Sequence, residues 1–156
     1  MTTTFADYAA QQDARNTIQL NVTKWTLMLC DALKQNYIDY SIRSHQRALS
    51  SSAEWVNYND YHQEAIKKLK NGECDYEFII ESGRKYHKII MVIDNGPDRS
   101  PSRSVHAFVD KKTGQIYKSS SWKSPAKGVR YDLRIIEQRE WLLQNADWAS
   151  SYLYAK

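Results

Sequence analysis

The spacing of the apolar residues changes at Asp75, and this change constrains the fold more than any other feature of the sequence. Before Asp75 the apolar positions recur at helical spacing, whereas after it they alternate with polar ones. Residues 75–81 and 84–93 therefore read as two strands, with Ser82-Gly83 as a tight turn between them. A helical first part followed by a hairpin excludes an all-helical or an all-β chain.

The two-residue turn predicts a register for this first hairpin. Glu81 would face Arg84 and Glu77 would face Lys88, so that two pairs of opposite charge lie on one face of the sheet. The other face is predicted to be the core, because it collects most of the apolar side chains. The side chains on that face are Tyr76, Phe78, Ile80, His87, Ile89, Met91 and Ile93.

A second hairpin is predicted further along the chain. Its strands lie near residues 104–109 and 115–119, and the turn between them ends at Gly114. These elements predict an α+β fold: a four-stranded antiparallel sheet of two hairpins, packed with N-terminal and C-terminal helices on one face. We expect residues 1–72 to form a helical region and residues 73–156 a sheet module with a C-terminal helix, both within one compact domain.

Three helices are predicted around this sheet. The longest covers residues 17–36, where an apolar stripe recurs at helical spacing and Asn36 is a natural stop. Residues 38–42 alternate like a short strand. A second helix ends at Asn71-Gly72, and a third begins near Asp132. The predicted apolar face of the second helix consists of Tyr58, Tyr61, Ala65 and Leu69.

Three motifs carry a family resemblance: GRKYHKI, SVHAFVDKKTGQIYK and SWKSPAKGVRYDL, in that order within residues 83–133. They resemble a family of small proteins of unknown activity that are encoded by tailed bacteriophages, including marine phages and cyanophages. The chain departs from the family at Ser119-Ser120, where Pro-Ala is usual, and in a longer insert at residues 94–103, which we expect to be a mobile connection. The resemblance implies a phage origin and a shared sheet module, and it implies no catalytic residue.

Few residues indicate catalytic or metal chemistry. None of the four histidines has a second histidine at i+4 or a cysteine nearby, and the two cysteines form no CxxC pair, so the sequence predicts neither a metal site nor a cofactor. No phosphate-binding glycine loop or nucleophile elbow is present. His87 and His106 lie on different predicted strands and could form a ligand site if their side chains converged on one pocket. We therefore predict a protein without catalytic residues.

A mixture of basic and aromatic residues is the strongest indication of function. Lysine and arginine can neutralise phosphates while aromatic rings stack on bases, a combination typical of sequence-tolerant nucleic-acid binding. The net charge of +4 permits such a partner. The alternative is structural, with Trp122 and Tyr131 fixing the loop between them over the edge of the sheet. The predicted nucleic-acid-binding residues are Lys111, Lys112, Lys118, Trp122, Lys123, Lys127, Arg130 and Tyr131.

A protein partner is the alternative to nucleic acid. The phage resemblance is consistent with a virion component or with an inhibitor of a host defence protein, located in the virion or in the host cytoplasm, and with self-association into an oligomer. No apolar run approaches about 18 residues, so no membrane segment is expected. Aromatic side chains that could anchor a protein interface are Trp25, Trp55, Tyr58, Tyr61, Trp141, Trp148, Tyr152 and Tyr154.

Overall fold

A computed structural model describes residues 4–51 and 56–154 of the chain, with the side chains of residues 51–59 outside that description. None of the helices in these ranges combines the length and the apolar character needed to cross a membrane. The elements are α1 (Phe5–Ser51), α2 (Val56–Lys70), β1 (Tyr76–Ser82), β2 (Tyr86–Ile93), β3 (Ser102–Asp110), β4 (Gln115–Lys118), β5 (Tyr131–Asp132), α3 (Ile136–Asn145) and a 3-10 turn at Ser151–Leu153.

The strands form one antiparallel sheet in which each strand pairs with the next along the chain. The predicted α+β fold, with helices packed on one face of an antiparallel sheet, is confirmed. The additional strand is β5, which has only two residues and follows a segment broken by Pro125 and Gly128. Hydrogen bonds from Arg130 N to Ile116 O and from Leu133 N to Gly114 O extend its pairing with β4.

The predicted core face of the first hairpin is correct, but its register is wrong by four residues. Glu81 pairs with Lys88 rather than with Arg84. The reason is the position of the turn: Gly83 N donates to Tyr86 O at 2.9 Å, so the tight turn is centred on Arg84 and Lys85, two residues later than predicted. A shift of four residues keeps the alternation in phase, so the same side chains still face the helices.

A β-bulge interrupts the pairing of β2 with β3. Ile89 pairs with Ala107 and Ile90 pairs with Val105, which leaves His106 as the extra residue on β3. A bulge of this kind turns the extra side chain out of the regular alternation. His106 and its neighbour Ala107 are therefore both buried, whereas regular alternation would place their side chains on opposite faces of the sheet.

Helix α1 is a single helix of 47 residues, so the predicted stop at Asn36 and the predicted short strand at residues 38–42 are both wrong. Asn36 has a tertiary role instead: its Oδ1 atom accepts a hydrogen bond of 3.0 Å from the backbone N–H of Trp148. The next residue, Tyr37, stacks on Tyr76 of β1 with ring centroids 3.9 Å apart. These contacts satisfy the polar side chain and stabilise the helix through the region where local signals favour a break.

The hydrophobic core lies between α1, the helix-facing side of the sheet and the C-terminal segment. The predicted stripe of α1 meets the predicted face of the first hairpin, and Leu142 of α3 joins them. Each fully buried leucine or isoleucine in this layer contributes about 1.5–3 kcal/mol relative to an exposed one. The largest completely buried apolar side chains of this cluster are Leu29, Leu33, Ile89, Ile116, Leu133, Leu142 and Leu153.

Helix α2 packs on α1 and ends where the sequence predicts, at Gly72, which has a left-handed φ of +82°. Its predicted apolar face is partly wrong, because Tyr61 is exposed and His62 is buried in its place. The Nδ1 atoms of His45 on α1 and His62 on α2 are 2.6 Å apart, so one ring donates to the other. The side chain of Tyr58 lies outside the described residues.

Helix α3 begins later than predicted. Asp132 belongs to β5, and the chain turns before the helix starts at Ile136. The sequence predicts an apolar stripe of Ile135, Ile136, Leu142 and Leu143 on this helix. Because the helix starts late, Ile135 and Ile136 are exposed, whereas Leu142 is completely buried.

The turn between β3 and β4 packs against α1, as its sequence requires. Gly114 has a φ of +75°, and a β-carbon there would lie 3.3 Å from Cγ of Arg134 and 3.4 Å from Cγ2 of Val22. Asp110 Oδ1 accepts hydrogen bonds from two backbone amides of the turn, at 2.9 and 3.2 Å. The turn therefore holds its basic residues at a fixed position at the end of the sheet.

Candidate nucleic-acid interface

The sheet face opposite the helices, which we call the open face, carries a tryptophan over basic side chains. Two side chains on this face are also buried, although the helices pack on the other side of the sheet: Ile90 is completely buried and Phe108 is 2% exposed. The ammonium of Lys88 lies 4.8 Å from the ring centroid of Trp122 and 5.7 Å from that of Phe108. The guanidinium of Arg103 lies 5.6 Å from the Trp122 ring. Trp122 keeps 41% of its surface exposed, which leaves ring area for a ligand.

The loop that carries Trp122 is held by backbone pairing at its base. Ser119 and Pro125 form an isolated antiparallel bridge, and Ala126 N donates to Lys118 O at 2.7 Å. Pro125 supplies no N–H to this bridge, so it suits the outer side of such a pair. The loop therefore presents Trp122 from a fixed base beside β4.

A cleft of about 240 Å³ lies at the turn between β1 and β2, and we call it the hairpin cleft. It is lined by residues 81–86 together with Lys88, Phe108 and Lys123. Phe108 and Tyr86 form its aromatic side, with ring centroids 5.6 Å apart and nearly perpendicular planes. The cleft thus combines an aromatic wall with the polar backbone of a turn.

Positive charge predominates in the hairpin cleft. Among the described residues that line it, the only carboxylate is that of Glu81, which accepts a hydrogen bond of 2.9 Å from Arg103, outside the lining. A hydrogen bond with the Tyr86 side chain is the main cause that raises the pKa of Lys85. An anionic ligand would therefore find cations that are not already neutralised by a carboxylate in the cleft. The four cations are Arg84, Lys85, Lys88 and Lys123.

The structure brings some of the predicted binding residues to this cleft. Lys123 lines the cleft, and Trp122 lies beside it, over the ammonium of Lys88. Lys111 reaches its rim, where its Nζ atom donates to Gly83 O at 3.0 Å. Lys112 follows in the same turn but lines a different cleft, beside α1.

The other predicted binding residues lie at the C-terminal segment. Arg130 Nε donates to Leu153 O at 2.6 Å, and the Tyr131 hydroxyl donates to Tyr152 O at 2.7 Å. The ammonium of Lys118 lies 4.8 Å from the ring centroid of Tyr154, and Lys127 offers its carbonyl to Arg130. Arg130 and Tyr131 thus hold the C-terminal segment, a contact that neither the nucleic-acid prediction nor its structural alternative contained. The predicted set is thus divided between three regions: the hairpin cleft, the cleft beside α1 and the C-terminal segment.

Sequence reasoning placed Arg84 and Lys88 on the face opposite the core, but it left both of them, and Lys85 and Arg103, out of the predicted binding set. Lys88 alternates with the buried His87 and Ile89 along β2, which is the signal for that face, whereas Arg103 lies between two exposed serines and gives no such signal. The contact of Trp122 with that face could not have been read from the pattern, because it depends on the path of an irregular loop.

The sequence matches a known protein family over almost its whole length. The matching family model is described as a family of unknown function (DUF7717), and it covers residues 5–155. The chain belongs to this family. No curated protein and no solved structure matches the chain.

The two histidines of the predicted ligand site have separate partners in this DUF7717 member. His87 Nε2 lies 3.0 Å from the Thr23 hydroxyl and Nδ1 lies 2.7 Å from the Ser82 hydroxyl. The Thr23 hydroxyl donates its proton to Gln19 O, so it accepts from His87 Nε2–H, and Nδ1 then accepts from Ser82. Burial, followed by the charge of Lys111, lowers the pKa of His87, which is consistent with this neutral ring.

His106 lies in the core. Its Nε2 atom is 2.7 Å from the hydroxyl of Tyr152, and its ring meets Phe78 edge-on at 5.5 Å. Burial lowers the pKa of His106 to about 4, with a small opposing effect of Asp147. Within the described part of the chain, no group of three or more metal-ligating side chains is present.

The aromatic side chains proposed to anchor a protein partner differ in how exposed they are. Trp148 packs edge-on against Tyr37 and is partly buried, and Tyr152 is buried in the core. Trp141 and Tyr154 are 45% and 62% exposed. Trp25 lies under the guanidinium of Arg139 at 4.1 Å, Tyr61 is exposed, and Trp55 and the Tyr58 side chain lie outside the described residues.

Proposed function

We propose that this protein binds nucleic acid through the hairpin cleft and the adjoining Trp122 ring, as a non-enzymatic accessory protein of a tailed phage. The observation that carries the proposal is the composition of the cleft: four cations, an aromatic wall, and one carboxylate that is already paired with Arg103. The phage role rests on the three sequence motifs, and the binding role rests on this cleft.

The chemistry of the cleft suits a phosphate backbone with bases beside it. Lysine and arginine side chains that are not neutralised by neighbouring carboxylates release counterions from phosphates on binding. Exposed aromatic rings stack on any base, with about 1–3 kcal/mol per base lost on alanine substitution. Trp122 has the exposed ring area for such a contact, because it is 41% exposed. This combination predicts binding with little sequence preference.

The test is the affinity for a fluorescent single-stranded oligonucleotide, measured by anisotropy at fixed salt. The variant R84E/K123E reverses two exposed cations of the hairpin cleft. At 0.15 M salt, removing one cation that neutralises a phosphate lowers the affinity about fourfold, so we expect the double variant to bind at least about 15-fold more weakly.

The matched control is K24E/R43E, which reverses one lysine and one arginine at exposed positions of α1, away from the cleft. It makes the same change in net charge, and we expect at most a small reduction in affinity. Equal weakening by the two double variants would contradict the proposal, because it would show that the net charge rather than the cleft determines binding.

A protein partner is the second candidate, favoured by exposed apolar side chains on α1. Phe5 is 85% exposed and Leu20 is 71% exposed, and the first turns of the helix make little contact with the sheet. Such a surface suits a virion component or an inhibitor of a host protein. A pull-down from infected cells distinguishes the candidates: a protein that is retained after nuclease treatment supports this one, and partners that disappear with the nucleic acid support the first.

A further inference from the structure

A second cleft lies on the other side of the sheet end, between α1 and the turn that joins β3 to β4. We call it the helix cleft; it has about 400 Å³ and is lined by Arg15, Ile18, Gln19 and Lys112. The close packing of Gly114 against Val22 holds this turn beside α1 and so forms the wall that carries Lys112. The cleft offers two cations, one amide and the apolar side chain of Ile18, a combination that suits a phosphate with part of a sugar or base.

The two clefts are joined by a basic turn at the end of the sheet. Tyr86 pairs with Asp110, so the turn that precedes β2 and the turn that follows β3 lie at the same end. Lys111 connects them directly: its backbone N–H donates to Lys85 O at 3.0 Å and its Nζ atom donates to Gly83 O at 3.0 Å. Positive side chains therefore continue from the four cations of the hairpin cleft, through Lys111, to the helix cleft.

Two carboxylates at this end of the sheet, Asp110 and Glu81, are already compensated. Asp110 is 8% exposed, and its Oδ1 atom accepts hydrogen bonds from two backbone amides of the turn. Glu81 is paired with Arg103. A polyanion that follows the path would first meet the four cationic side chains of the hairpin cleft, then Lys111, and finally Lys112 and Arg15 in the helix cleft.

We propose that a single strand of nucleic acid, and not a duplex, follows this path from the hairpin cleft around the end of the sheet into the helix cleft. This inference rests on the proposed function. The path passes from the open face of the sheet to the face covered by α1. Duplex DNA has a persistence length of about 150 base pairs and cannot bend round the end of one sheet. A single strand bends freely, and its unpaired bases are available for stacking on Trp122.

The experiment compares thymidine oligonucleotides of 4 and 20 nucleotides with a 20-base-pair duplex, using the full chain and the variant R15E/K112E. We expect the variant to bind the 20-mer about 15-fold more weakly than the wild type at 0.15 M salt, because two phosphates are no longer neutralised. The 4-mer occupies only the hairpin cleft, so the variant should bind it with unchanged affinity. The duplex should bind the wild type more weakly than the 20-mer single strand does. Thermal melting of the variant checks that it is folded.

The outcomes separate this inference from the function on which it rests. If R84E/K123E weakens binding of the 20-mer but R15E/K112E does not, nucleic-acid binding stands and the path is wrong. Equal affinity for single strand and duplex overturns the path as well. If neither oligonucleotide binds the wild type, the proposed function itself fails.

Discussion

Acidification should destabilise the fold through His106, and the structure fixes the direction and size of the effect. The ring is 6% exposed, with its Nε2 atom against the Tyr152 hydroxyl, and burial lowers its pKa to about 4 from an ordinary value of 6.5. Between pH 6.5 and 4 the unfolded chain therefore binds a proton that the folded chain does not bind. The contribution of the neutral ring is fully present above pH 6.5 and declines as the pH falls.

The magnitude follows from the two pKa values. Lowering the pH from 7 to 4.5 should reduce the free energy of unfolding by about 2 kcal/mol through this group alone. Carboxylates and the other histidines add to the total, so the effect of His106 must be measured as a difference. The variant His106→Gln keeps a polar group near Tyr152 but cannot titrate, and it removes only this contribution.

The assay is urea unfolding of both proteins at pH 7 and at pH 4.5. The stability of the wild type should fall by about 2 kcal/mol more than that of H106Q between these two pH values. A lower stability of H106Q at pH 7, caused by poorer packing on Phe78, does not affect the comparison. The reasoning would be refuted if the free energy of unfolding fell equally in both proteins, because His106 would then take up a proton in the folded protein as readily as in the unfolded chain.

Three further predictions test the fold and the site. Gly114→Ala should lower the free energy of unfolding by about 1–3 kcal/mol, because the residue has a φ of +75° and the added carbon meets Arg134 and Val22. Urea unfolding measures this change, and an unchanged midpoint would contradict that packing. Asn36→Ala should cost about 1–3 kcal/mol by leaving the Trp148 amide without its acceptor, and its unfolding should be compared with that of the exposed control Gln35→Ala. Trp122→Ala should weaken oligonucleotide binding by about 1–3 kcal/mol, and a variant that binds like the wild type would remove this ring from the site.

Much of the fold could be predicted because periodicity alone determines which side chains face the core. The alternation in β1 and β2 gave the correct core face, and this result holds even though the register is displaced by four residues. The register depends on the position of the turn, and the hydrogen bond from Gly83 N to Tyr86 O centres the turn on Arg84 and Lys85 rather than on Ser82-Gly83. The bulge that buries His106 also depends on pairing between strands, which a single strand does not reveal.

The errors elsewhere arise where tertiary contacts override local signals. Asn36 is a common helix stop, but here its side chain accepts a hydrogen bond from the backbone of Trp148, 112 residues later in the chain. The two residues of β5 are too few to give a periodic signal. Both features become visible only when distant segments are packed together.

The candidate site could be predicted only in part for the same reason. The sequence identified a basic and aromatic stretch, and Trp122, Lys123 and Lys111 of that stretch lie at or beside the hairpin cleft. It could not show that Arg130 and Tyr131 are engaged by the C-terminal backbone. Nor could it show that an irregular loop places Trp122 over cations from two other strands.

The salt dependence of oligonucleotide affinity tests the central claim most directly. If the four cations of the hairpin cleft each neutralise one phosphate of a short single strand, a plot of log affinity against log salt should have a slope of about −3. In R84E/K123E the slope should fall to about half of that value, whereas in K24E/R43E it should stay the same. A slope near zero for the wild type, or binding that never rises as salt is lowered, would contradict the account.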